Sequence, residues 1–335
     1  MPAKPKNGSL IIGVDLGGTK ISAGAVSLDG SRTVGVRSVP TQAELGAEGV
    51  VDRIYSVIEG VILDATNETG VTRKNIVGIG IGAPGPLDRE KGLVIVAPNL
   101  GWRDFPLRDR ITTKFGLPAT LDNDANCATV GEWWLGAARG GRNVVGITIG
   151  TGIGGGLIID EKLYHGSSDV AGEIGHTTID VNGRHCKCGN YGCLEAYASG
   201  PAIATRASEA LVREDTASLL PSMVDGQLDK LTAELVYDAA KKGDGLANEI
   251  VRDTARYLGA GIASLLNVIN PDVVVIAGGV TRAGEALFGP LRAEVRRRAF
   301  NPAVKAARIV PAELPGTAGI VGAVATFKTG TYGTL

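Results

Sequence analysis

Cysteine is scarce in this chain. Its 335 residues hold four, and three of them, Cys186, Cys188 and Cys193, fall together in RHCKCGNYGCLEA (184–196). So few exclude a disulfide framework, and the crowding points to a metal held in a reducing cytoplasm. Net charge is scarce too. Thirty-four basic against 35 acidic residues leave −1, which excludes broad attraction to nucleic acid or to an anionic membrane. The run Arg296-Arg297-Arg298 reads as the solvated face of a helix. No apolar stretch approaches the roughly 20 residues of a membrane helix. MPAKPKNGS, at the start, has lysines without the apolar segment of a signal peptide, so it reads as a short floppy lead. A low-complexity linker is also missing.

What is present is 44% hydrophobic and 21% charged residues, the balance of a globular protein, in a length suited to two domains. Apolar runs bounded by glycine predict strands at 10–18, 21–28, 33–39, 76–84 and 118–123. The 3–4 spacing of Val50, Ile54, Val57, Ile58 and Val61 predicts a helix over 47–66, with further helices near 106–115 and 125–137. NVVGITIGTGIGGGLIIDEKL (143–163) then repeats the grammar of LIIGVDLGGTKISAGAVSLDG (10–30): strand, glycine turn, strand, acidic turn. The repeat predicts a duplicated α/β architecture. After it the chain reads as mostly helical over 195–269, then strand 272–280, helix 285–299, strand 307–314 and a last helix over 317–328.

The two glycine turns invite two readings that fail on context. In DLGGTK (15–20) the order Gly18-Thr19-Lys20 is not the Gly-Lys-Ser/Thr of a P-loop, and a strand follows instead of a helix. GTGIGG (150–155) matches the dinucleotide fingerprint formally but also leads into a strand. A glycine turn between strands still suits phosphate, because missing side chains let oxygens reach backbone N–H groups. Gly17, Gly18, Thr19 and Lys20 would do this in the first half, and Gly150, Thr151 and Gly152 in the second. Asp15, at the end of the first strand, is placed to hold a Mg2+ water. Gly278 and Gly279 end another strand where a nucleotide could lie against backbone. An ordinary hairpin explains one such turn; two, each opening a half, favour phosphate. This pattern resembles the sugar-kinase, heat-shock-chaperone and actin superfamily of ATPases, which implies two ribonuclease-H-like lobes with nucleotide in the cleft between them.

LDNDANCA (121–128) sets Asn123 and Asp124 where a strand hands over to a helix. Asp124 reads either as the helix N-cap or as a general base for phosphoryl transfer to a hydroxyl. AGEIGHTTIDVNGRHCKCGNYGCLEAYASG (171–200) adds Glu173, His176, the three cysteines and Glu195. Three thiolates and an imidazole make a structural zinc set, and both His176 and His185 are within reach as the fourth ligand. Cys127 reads as a small buried residue of its helix.

Taken in order, DLGGTK, NDANCA, GTGIGGG, GEIGH and Cys186-x-Cys188-Gly189-x-x-Gly192-Cys193-x-Glu195 resemble the ROK family (repressors, open reading frames and kinases), with no departure in the cysteine motif. The resemblance implies an ATP-dependent, Mg2+-assisted hexose kinase with glucose as the foremost acceptor. Asp124 would be the catalytic base, and Asn123, Glu173, His176 and Glu195 would contact sugar hydroxyls, with Asn99 of APNLGW on the same side. His176, Cys186, Cys188 and Cys193 would hold structural Zn2+, so His176 would serve both zinc and sugar. It further implies a small lobe of 1–122 plus 318–335 with the first turn, and a large lobe of 123–317 with the second turn, zinc loop and sugar segment. A cytoplasmic homo-oligomer, dimer or tetramer, is expected. Relatives with the same motifs take N-acetylglucosamine, N-acetylmannosamine, mannose, fructose or allose, or use polyphosphate. Family repressors carry a winged-helix domain before the first turn, whereas 14 residues stand before Asp15 here, so kinase is expected over repressor.

Overall fold

The structure, a computed structural model, describes residues 8–213 and 217–335; residues 1–7 of the expected floppy lead lie outside them. The first half runs β1 (Leu10–Leu16), β2 (Lys20–Ser27), β3 (Thr33–Pro40), α1 (Gly46–Thr69), β4 (Ile76–Ala83), β5 (Leu87–Asp88), β6 (Leu93–Ala97), β7 (Trp102–Phe105), α2 (Leu107–Phe115), β8 (Ala119–Asn123) and α3 (Asp124–Leu135). The second half runs β9 (Val144–Ile149), β10 (Ile153–Ile159), β11 (Lys162–Leu163), α4 (Glu195–Ala198), α5 (Gly200–Arg213), α6 (Ala233–Lys241) and α7 (Gly245–Ile269). It closes with β12 (Val273–Gly278), α8 (Glu285–Arg298), α9 (Asn301–Ala306), β13 (Arg308–Pro311) and α10 (Ala318–Tyr332). No helix among the described residues is long and apolar enough to cross a membrane.

The expected duplication is present. One sheet has the order β3-β2-β1-β4-β8 and the other β11-β10-β9-β12-β13. In each, the central strand is parallel to its neighbour, β1 to β4 and β9 to β12, and that neighbour is parallel to the edge strand. A third sheet, β5-β6-β7, was not legible in the sequence. Its strands of two, five and four residues are too short for a periodic signal.

The chain divides into two compact units. The first comprises 1–141, 156–172 and 312–335, and the second 142–155 and 173–311. This differs from the expected lobes in that 123–141 with α3, 156–172 and 312–317 all fall in the first unit; for α3 the reason is its packing on α10. The carbonyl oxygen of Cys127 lies 1.6 Å from where a Cβ on Gly322 would stand, and the Ala318 oxygen lies 2.1 Å from a Cβ on Gly131. Neither helix tolerates a larger residue at those points.

In β1 side chains alternate. Leu10, Ile12, Val14 and Leu16 join the core under α1, while Ile11 packs with Ile320 and Phe327 of α10. Gly13 and Asp15 share the Ile11 face by the two-residue period of a strand. β4, IVGIGIGA, divides likewise: Ile79 and Ile81 enter the α1 core, whereas Gly78 and Gly80 let α10 settle on the sheet. A Cβ on Gly80 would stand 1.9 Å from the Ala323 oxygen, so Gly80→Ala forces overpacking that costs about 1–3 kcal/mol or more. This face carries the chain from Gly13 to Asp15, and Gly319, in the first turn of α10, faces the Asp15 carboxyl.

The arginine run is exposed at the end of α8, as expected of a solvated helix face. Arg297 and Arg298 both donate to the buried Glu294.

Candidate active-site and metal-ligand residues

In the first unit the β1–β2 turn is closed by Gly17 N–H donating to Lys20 O at 2.9 Å. Thr41, fully buried just past β3, braces it: its N–H donates to Thr19 O at 2.8 Å and its hydroxyl to Gly17 O at 2.7 Å. Asp15 precedes the turn on the α10 face. Burial pushes its carboxyl up to about 6, and the Lys20 ammonium opposes that rise. Gly18 lies against Asn99, whose Cβ and Nδ2 are both 3.5 Å from the place of a Gly18 Cβ. Asn99, exposed between β6 and β7, is thus brought beside the first turn.

The strand-to-helix junction of β8 and α3 corrects one reading. The N-cap is Asn123, not Asp124: Asn123 Oδ1 accepts from the N–H groups of Ala125 at 2.9 Å and Asn126 at 3.1 Å. Such a cap contributes about 1 kcal/mol. Asp124 is the first helical residue, half-buried, and its Oδ1 accepts from Ala125 N–H at 2.8 Å. Its removal therefore leaves the helix capped. Beneath lies Asp122, which the sequence reading passed over. Its carboxylate accepts from Asn123 N–H (2.8 Å), Asn126 Nδ2 (3.1 Å) and His165 Nε2 (2.9 Å), and pairs with Arg89 Nε (3.1 Å). The only signal for it was a carboxylate within a short strand, ATLDN, directly before the Asn123–Asp124 pair.

In the second unit the β9–β10 turn is closed by Gly150 N–H donating to Gly152 O at 2.9 Å. Glu195, opening α4, reaches this turn: its Oε2 accepts from Ile153 N–H at 2.8 Å and blocks any side chain at Gly152, whose Cβ would lie 2.6 Å away. Gly278 has φ +110°, and a Cβ there would fall 1.9 Å from Ile149 O. Glycine alone fits, and the third glycine stretch, Gly278 and Gly279, thereby lies beside the end of β9.

The ligand atoms of His176, Cys186, Cys188 and Cys193 all lie within 4.8 Å of one another. Nδ1 of His176 stands 3.8 Å from Cys186 Sγ, and Cys188 Sγ 3.7 Å from Cys193 Sγ. His185 is outside the set; its ring meets Tyr191 edge-on at 5.1 Å. The set fits a cation. Burial raises the Cys186 and Cys193 thiols, whereas the Asn190 backbone N–H lowers that of Cys188, and a soft metal that takes thiolates would satisfy all three. Cys186 Sγ is also 4.0 Å from Glu195 Oε1, so Glu195 joins the cysteine loop to the glycine turn. Glu173 precedes the short 3-10 turn Ile174–His176 and is exposed. Cys127 is fully buried in α3 and is not one of the clustered ligands.

Two half-related sheets, each with a glycine turn after its central strand, define the class: an ATPase fold of the actin and sugar-kinase type. Within that class the chain belongs to the ROK family, whose model matches residues 11–330. Glucokinase of Streptomyces coelicolor is 38% identical over 316 residues, covering 94% of this chain and 96% of that protein. The structure of a ROK family glucokinase from Streptomyces griseus, in complex with glucose and AMPPNP, superposes with a TM-score of 0.81 at 38% identity, covering 94% of this chain and 98% of that one. A xylose repressor from Caldicellulosiruptor bescii is 33% identical, covering 94% of this chain and 77% of the repressor.

Proposed function

We propose that this protein is an ATP-dependent glucokinase, converting glucose and ATP to glucose 6-phosphate and ADP. The observation that carries the reading is nearly full-length identity of 38% to a glucokinase, in a chain that keeps Asp124 on a helix capped by another residue. The cap thus does not depend on the Asp124 carboxylate.

In this reading the Asp124 carboxylate takes the proton from the 6-hydroxyl as that oxygen attacks the γ-phosphorus, and the ATP β,γ-bridging oxygen leaves with ADP. Asn123, its Oδ1 engaged by the helix, donates through Nδ2 to a sugar hydroxyl, and Asn99 lies on the same side. Glu173 and Glu195 accept from hydroxyls, and His176 turns Nε2 to the sugar while Nδ1 serves the metal. Gly17, Gly18, Thr19 and Lys20, and Gly150, Thr151 and Gly152, offer N–H, hydroxyl and ammonium donors to phosphate, with Gly278 and Gly279 against the nucleoside. Mg2+, when bound with ATP through Asp15, supplies charge neutralisation at the phosphates. His176, Cys186, Cys188 and Cys193 hold structural Zn2+. The protein works in the cytoplasm as a homo-oligomer and takes no nucleic acid.

A coupled ADP-release assay over glucose, mannose, fructose, N-acetylglucosamine and N-acetylmannosamine, with ATP and polyphosphate compared, tests this. Glucose with ATP should give the highest kcat/KM; ADP release that no sugar stimulates would sink the proposal. A second reading, a sugar-responsive regulator, draws on the 33% identity with the xylose repressor. It predicts sugar binding without turnover and no effect of Asp124→Ala on that binding.

A further inference from the structure

Asp122 is the most enclosed carboxylate near Asp124, at 2% exposure. A carboxylate has about four acceptor sites, and here every one has a partner. Oδ1 takes Asn123 N–H and Asn126 Nδ2, both on the helix junction. Oδ2 faces His165 Nε2 and Arg89 Nε. Since a carboxylate can only accept, His165 donates from Nε2. Arg89 Nε forms an ion pair, not a directed hydrogen bond. Arg89 stands in the tight turn between β5 and β6, and behind it Asp169 Oδ1 lies 3.5 Å from its guanidinium, while Asp169 Oδ2 accepts from Arg89 N–H. The segment 165–169 therefore grips the junction at both ends, through His165 directly and through Asp169 by way of Arg89.

A buried ionic cluster is a poor device for stability, because apolar residues of like volume hold a core as well. What it supplies is direction, and this one is anchored to the backbone N–H of Asn123, one residue before the base. We propose that Asp122 and His165 are positioning residues for phosphoryl transfer: His165 and Arg89 hold the Asp122 carboxylate, which holds the Asn123–Asp124 junction in the orientation that aims the base. The proposal rests on the glucokinase reading.

Burial alone would raise Asp122, but the hydrogen bond from His165 and the charge of Arg89 outweigh it and hold the carboxyl below its ordinary value. The other ionisable groups near this knot are Asp169, behind Arg89, and Cys127 of α3, whose thiol burial and the charges of Asp122, Asp15 and Asp124 all raise. Without His165, Asp122 takes up a proton at higher pH, and its protonated form loses its grip on Asn123 N–H.

The test is steady-state kinetics of the full chain with glucose and ATP from pH 5 to 9, for wild type, His165→Ala, His165→Asn and His165→Gln. Gln can present a donor near the place of Nε2; Asn falls short of it. His165→Ala should lose kcat by about ten- to a hundredfold, the penalty of a slightly misaimed group. Its KM for ATP should stay constant and the acid limb of its kcat profile should move to higher pH. His165→Gln should recover several-fold over His165→Asn. Wild-type kcat in a folded His165→Ala protein would overturn the proposal. So would a loss equal in the Asn and Gln variants and uniform across pH, the mark of a merely structural role. If the Ala variant does not fold, the Asn and Gln pair decides by the same criterion. A wild-type chain that releases no ADP with glucose defeats the functional reading itself, whatever the variants do.

Discussion

The two glycine turns share one pattern, strand, glycine turn, strand, and differ in where their charge comes from. Asp15 and Thr148 each stand two residues before their turn, and they pair alike with the parallel neighbour, Asp15 with Gly82 and Thr148 with Ala277. The first half therefore carries a carboxylate on its own central strand, half-buried and raised to about 6. The second half has a neutral hydroxyl there and receives its carboxylate from Glu195, which comes 42 residues after Ile153. The flanks differ as well. β3 is an eight-residue edge braced through Thr41, whereas β11 is two residues long. A charge built into a strand stays with the fold; one brought in by a loop depends on that loop, and here the loop carries the cysteines. Metal binding in the second half should thus matter to a turn that the first half holds unaided.

The comparison is broken most sharply by Asp124→Ala. A general base is worth about 10²–10⁴-fold, and we expect a loss of kcat in that range with Tm little changed, because Asn123 caps the helix. A Tm drop matching the loss of activity would return Asp124 to a structural part. Next comes Asp15→Asn, expected to lower kcat/KM for ATP by about 10²-fold, the scale for one lost electrostatic partner. The same change should raise the Tm of the nucleotide-free protein at pH 7.5. A carboxyl raised on folding opposes stability once ionised, so the penalty is complete above about pH 6. It fades as pH falls towards the ordinary carboxyl value, so the Tm advantage of Asn should shrink between pH 6.5 and 4.5.

Cys188→Ser sharpens the contrast from the other side. Bound zinc, measured by atomic absorption, should be lost, the glucose KM should rise by about tenfold as Glu195 loosens, and the KM for ATP should change less. Zinc loss with an unaltered glucose KM would show that the loop does not support the sugar side. Smallest is the pair Thr19→Ala and Thr151→Ala, each removing one hydroxyl donor. Each should raise the ATP KM by roughly two- to tenfold, the scale of one hydrogen bond.

Much of this was written in local patterns. The glycine-bounded apolar runs marked both sheets, and the 3–4 spacing of Val50 to Val61 marked α1, which extends three residues beyond its expected end at 66. The turns, Asn123, Asp124 and the cysteine set were legible because each is a contiguous motif. Asp122, Arg89, His165 and Asp169 were not, since they come from three separate segments and nothing local links them. The small sheet β5-β6-β7 escaped for another reason: pairings of two and three residues leave no period to read. The sequence left the cap open at Asp124 because Asn and Asp are nearly equal as caps, and the hydrogen bonds to Asn123 Oδ1 decide for its neighbour.

The packing of α10 also sets an order of events on the ribosome. The face of β1 and β4 that receives it, with Gly13 and Gly80, emerges early, yet α10 is made last of all the elements. From Leu135 to Ala318 the ribosome needs roughly 10–40 s at about 5–20 residues per second. For that time the nascent first unit shows an apolar groove with nothing in it. A peptide of the α10 sequence, added in trans during synthesis, should compete for that face.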